Sequence, residues 1–101
     1  MQVVVSSRHM TVSAALKEFA EKKAGKLTRY YDRIQEIEVV VDTAEKGDQS
    51  VEMIVNAEHK GLFIAKDRGP DAYACVDNCV QKLERQLTDH KERLRNRKHP
   101  E

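Results

Sequence analysis

The chain has 101 residues, 40% of them apolar and 35% charged, and a formal net charge of +1, which suits one soluble domain with a modest core. The start, Met1-Gln2-Val3-Val4-Val5, carries neither a basic leader nor a long apolar run, so neither a secretion signal nor a membrane span is expected. Cys75 and Cys79 are the only cysteines, too few for a disulfide scaffold, and they point to a reduced, cytoplasmic protein.

Residues 3–6 form a short β-rich run, followed by a polar loop through Ser7, Arg8, His9 and Thr11. Ser13 can cap a helix by accepting a backbone N–H that the first turn leaves free. Leu16, Phe19, Ala20, Leu27, Tyr30 and Tyr31 then recur at helical spacing as one apolar stripe. Gly25 interrupts this helix at a cost of about 1 kcal/mol relative to Ala. Lys22, Lys26 and Arg29 make a basic row beside the stripe.

Ile37, Val39 and Val41 alternate with Glu36, Glu38 and Val40, the pattern of a half-buried strand. Residues 43–49, with Gly47, read as a polar turn. Val51, Met53 and Val55 alternate again with Glu52, Ile54 and Asn56. Residues 58–61 read as a tight turn, 62–66 as a last short strand and 67–71 as a loop. In that loop Pro70 suits the first turn of a helix and Asp71 its acidic start.

The final helix is expected over residues 71–95. Tyr73, Val76, Val80, Leu83, Leu87 and Leu94 share one side of it, while Arg85, Gln86 and Arg93 fall within about 60° of Lys82 on a wheel of about 100° per residue. The order β-α-β-β-β-α makes the first two strands parallel through a right-handed crossover. Two helices then cover one face of a four-stranded sheet, an α+β sandwich of two layers. Residues 1–96 read as a single domain and 97–101 as a short basic tail without fixed structure.

The small net charge hides a polarised chain. Residues 17–33 hold six Lys/Arg against three Asp/Glu, and residues 82–98 hold seven against three, whereas residues 34–58 hold one Lys against seven acids. Such segregation suggests one face meant for a polyanion. If the helices lie side by side, Lys22, Lys26 and Arg29 approach Lys82, Arg85 and Gln86 across a positive groove that Lys91 and Arg93 extend. Rigidly held cations displace condensed counterions from RNA phosphates, although solvated helix faces carry Lys and Arg in many proteins.

The strands offer only Phe63 as a stacking aromatic, and Glu36, Glu38 and Glu52 predict an acidic sheet face that repels RNA. Cys75 and Cys79 stand at i, i+4, but no third and fourth metal ligand converges with them, and small buried thiols are the simpler reading. No nucleophile elbow or phosphate-cradling glycine loop is present. No enzyme activity, metal, cofactor or small-molecule substrate is expected.

Three segments carry a resemblance. Tyr30-Tyr31-Asp32-Arg33-Ile34 resembles the Tyr-Phe-Asp-Arg-Ile segment ending the first helix of the ribosome hibernation promoting factor family, which includes the ribosome-associated inhibitor and proteins also described as sigma-54 modulation proteins. Residues 71–77 followed by Lys82-Leu83-Glu84-Arg85-Gln86-Leu87 are similar to that family's second helix, and residues 13–19 to its first. The match runs in register over almost the whole chain.

The resemblance implies a fold similar to a double-stranded-RNA-binding domain. It also implies a partner, the small ribosomal subunit and its rRNA, bound in the channel where messenger and transfer RNAs lie. Binding by occlusion would inhibit translation and preserve idle ribosomes in stationary phase or stress. The matching positions are Lys22, Lys26, Arg29, Lys82, Arg85, Gln86 and Lys91, with Arg93 beside them. Asp89 departs from the family, standing where many relatives carry Lys. Long members add a dimerisation domain, so this chain resembles a short form that, to promote ribosome pairing, would need a second small factor or would act by changing the ribosome. A general double-stranded-RNA-binding module and a protein-interaction regulator remain as alternatives.

Overall fold

The computed structural model describes residues 1–59 and 61–97, and the side chains of these up to Leu94. Strand β1 spans Gln2–Arg8, helix α1 Ala14–Gly25, strand β2 Ile34–Thr43, strand β3 Gln49–Ala57, strand β4 Gly61–Gly69 and helix α2 Ala72–Arg97. The sheet order is β1-β2-β3-β4. β1 pairs with β2 in parallel, Val5 opposite Val39, and the other pairs are antiparallel. The expected β-α-β-β-β-α sandwich is therefore the observed fold.

Alternation decides which face each strand residue takes. Ile37, Val39 and Val41 of β2 and Val51, Met53 and Val55 of β3 are buried beneath the helices. From above, Leu16, Ala20 and Ala24 of α1 and Val76, Leu83 and Leu87 of α2 close the same core. Helix α2 lies over β3 and β4, while α1 packs against β1 and α2.

The β2–β3 connection turns at Lys46 and Gly47, whose φ angles are 60° and 80°. Strand β4 runs to Gly69, three residues past the expected end, because Asp67, Arg68 and Gly69 pair with Val51, Ser50 and Gln49. Helix α2 likewise continues to Arg97, past the expected residue 95. The tail expected at 97–101 thus has its first residue in this helix, and its remaining residues lie outside the described ones.

Candidate nucleic-acid interface

The cations on α1 owe their exposure to what the helix buries. Ser13 Oγ accepts the Leu16 N–H at 3.1 Å and starts the helix, and Leu16, Ala20 and Ala24 then face the core. Lys22 and Lys26 are left in solvent. After Gly25 the chain tightens into a 3-10 turn, Lys26–Arg29, that buries Leu27. Thr28 Oγ1 donates to the Gly25 carbonyl at 2.9 Å and fastens the turn. Arg29 and Tyr30 emerge exposed, whereas Tyr31 is buried. Of the two tyrosines expected in the core, one packs there.

The turn forms one wall of an open groove of about 760 Å³. Arg29, Arg33, His59 and Lys91 line it, together with Tyr30 and Leu94. His90 is clamped edge-on between Tyr31, at 5.4 Å between ring centroids, and Phe63, at 5.1 Å. With His90 held inward, its neighbour Lys91 opens into the groove opposite Arg29. Arg33 reaches Glu58 at 4.0 Å, both largely exposed, a contact of little net strength. Arg33 and His59 escaped the periodicity argument. Their signal is hairpin register, since Ala57 opposite Gly61 puts His59 at the turn beside the second half of α2.

The groove expected between the two helices, with Lys82 and Gln86 opposite Lys22, Lys26 and Arg29, does not form. Lys82 Nζ donates to the Lys66 carbonyl at 2.7 Å and sits 3.8 Å from Asp67. Gln86 Nε2 donates to the Ile64 carbonyl at 3.0 Å. Both therefore face β4, on the flank of α2 turned away from α1. The flank facing α1 carries Tyr73, edge-on to Phe19 at 5.0 Å, and Asp77, 3.3 Å from Lys23. A helical wheel explains the split, because Asp77 and Lys82 are about 140° apart at about 100° per residue. Arg85 and Arg93 are exposed.

Among the described residues, no carboxylate lies within ion-pair range of Lys22, Lys26, Arg29, Arg85, Lys91 or Arg93, whereas Lys23 and Lys82 each meet an aspartate. Charges left unpaired on the helix side keep their field for an external anion.

The opposite face of the sheet departs from the acidic surface expected. Glu36, Glu38, Asp42 and Glu52 are there, but Arg8, Lys66 and Arg68 share it, as do Val4, Val40, Ile54, Leu62 and Ile64. The extension of β4 supplies one of the cations, Arg68. Glu52 meets Lys66 at 3.5 Å, which offsets that acid locally, and His9 Nδ1 hydrogen-bonds Asp42 at 3.1 Å. The hydrogen bond from His9 holds the Asp42 carboxyl below its usual range.

Cys75 and Cys79 are buried and free. Their thiols donate long hydrogen bonds to the Gln49 carbonyl, at 3.9 Å, and the Val51 carbonyl, at 3.5 Å. Burial pushes both thiols up, Cys79 to about 12, so neither is a ready nucleophile. Among the described residues no group of three His, Cys, Asp or Glu could hold a metal ion, and no helix is long and apolar enough to cross a membrane.

Residues 3–95 match the family described as sigma 54 modulation protein / S30EA ribosomal protein. The chain is 35% identical to the ribosome hibernation promoting factor of Escherichia coli K12, over 94% of this chain and 98% of that one. It is also 35% identical to the factor of the same name from Azotobacter vinelandii, over 92% and 85% of the two chains. Among solved structures it is similar to the N-terminal domain of Thermus thermophilus Protein Y, with a TM-score of 0.78 and 28% identity, covering 89% of this chain and 99% of that one. A ribosomal subunit interface protein from Coxiella burnetii gives the same score and identity over 91% and 99%. Sequence and fold agree over nearly the whole length, and this chain belongs to the sigma 54 modulation protein / S30EA ribosomal protein family.

Proposed function

We propose that this chain is a ribosome hibernation factor, a binding protein without catalytic activity that docks on the small ribosomal subunit and silences it. The helix side meets rRNA in the channel that messenger and transfer RNAs would occupy. Translation stops by occlusion, and the idle ribosome is preserved.

The observation that carries the reading is the set of exposed cations on the helix side, Lys22, Lys26, Arg29, Arg85, Lys91 and Arg93, free of carboxylate partners among the described residues. Each can neutralise a phosphate and release its counterion. The names of the relatives, ribosome hibernation promoting factor and ribosomal subunit interface protein, support the same partner. The sheet lacks the exposed aromatics of an RNA-recognition module, which favours contact by shape and charge.

Co-sedimentation with purified small subunits, large subunits and a free RNA duplex at physiological salt tests the reading. Selective pelleting with small subunits is expected. Equal binding to all three would make the chain a general RNA-binding module, and binding to none would turn the search to a protein partner.

A further inference from the structure

β4 is an edge strand, so every second residue turns its N–H and C=O away from β3 and toward open space. Ile64 and Lys66 are two such residues, since their carbonyls accept side-chain hydrogen bonds from α2. The strand is nine residues long and exposes Leu62 at 57% and Ile64 at 42%. A long edge with exposed apolar residues is a template for another strand.

Helix α2 runs antiparallel to β4 and in step with it. Four helical residues rise about 6 Å, and two strand residues about 6.8 Å. Lys82 therefore reaches Lys66 O, and Gln86, one helical turn later, reaches Ile64 O, two residues earlier on the strand. One turn before, Asn78 Nδ2 donates to Asp67 Oδ2 at 2.8 Å. Three successive turns of the helix are stitched along the one edge.

We infer that Lys82 and Gln86 guard the free edge of β4, keeping a second copy of this chain from adding its own β4 there. Two identical edges can meet antiparallel about a two-fold axis, and Leu62 and Ile64 of both copies would then lie on one continued sheet face. The guard works by occupation. A docking strand must find free carbonyls at Ile64 and Lys66, and both already hold a donor whose side chain stands in the strand's path. The charges of Lys66 and Arg68 add a second deterrent.

The test replaces both guards with side chains of similar length that cannot donate, Lys82→Met with Gln86→Met, and follows mass by sedimentation velocity against concentration. The native chain is expected to stay monomeric. The double variant should approach twice that mass as concentration rises, with its dimer fraction at least about tenfold above the native chain's at equal concentration. Adding Ile64→Lys should return it to monomer, because it brings like charges, with Lys66, against each other across the new junction. A folded double variant that stays monomeric throughout would overturn the inference. So would a native chain that already pairs, or association that survives Ile64→Lys. Should the double variant fail to fold, Lys82→Leu with Gln86→Leu serves instead, since it too frees both carbonyls, and a folded, strictly monomeric protein would equally count against the guard.

Discussion

Asp67 stands where α2 meets the edge of β4. The hydrogen bond from Asn78, 2.8 Å long, holds its carboxyl below the usual carboxylate range; burial opposes this, and Lys82 adds a smaller favourable share. A carboxyl lowered on folding contributes stability above its unfolded value, near 3.8, and loses it as pH falls through the folded value. Asn78→Ala should therefore destabilise the protein at neutral pH and make little difference at a pH low enough to protonate Asp67 in the folded protein. Urea unfolding of both proteins at the two pH values checks this, and an Asn78→Ala deficit of equal size at both would exclude the charge-assisted bond as its cause.

At the scale of the elements, the start of α1 rests on a side-chain cap. Ser13 stands extended, at φ −67° and ψ 154°, and its hydroxyl holds the Leu16 N–H, while no acidic residue sits in the first turn to share the task. Ser13→Ala should cost about 1 kcal/mol, read as a lower denaturant midpoint at unchanged slope. A shift within error would mean that burial of Leu16, Ala20 and Ala24 alone holds the helix start.

The elements that could be read from sequence were those whose burial follows their own period, such as Ile37, Val39 and Val41 against Glu36 and Glu38. Strand β4 outruns its sequence signal because Asp67, Arg68 and Gly69 have loop chemistry, and only the pairing partners on β3 override it. The basic row of α2 was found, but a helical wheel yields an angle without saying which neighbour stands there. Lys82 and Gln86 face a strand rather than the other helix for that reason. The groove of Arg29, Arg33 and Lys91 joins three separate elements through a hairpin tip and a 3-10 turn, and no local spacing encodes that meeting.

At the scale of the whole molecule, cations without an ion-pair partner among the described residues stand on the helix side, beside equally unpaired carboxylates such as Glu18, Asp89 and Glu92. Cations on the sheet's outer face have acidic neighbours, as Lys66 has Glu52 at 3.5 Å and Arg68 has Asp48 at 3.4 Å. Lys26, Arg29 and Lys91 have none among the described residues, and two of them line one groove. Binding driven by phosphate neutralisation weakens with salt roughly in proportion to the number of contacts, each removed cation lowering the slope of log affinity against log salt by about 1. Replacing Lys26, Arg29 and Lys91 with Ala should lower the slope for small-subunit binding by about 3 and weaken binding at physiological salt. Arg8→Ala with Arg68→Ala, on the other face, should leave the slope unchanged. The two variants remove cations from opposite layers of one sandwich, so a slope that falls with the sheet-face pair and holds with the helix-side triple would place the RNA on the sheet and discard the helix-side interface.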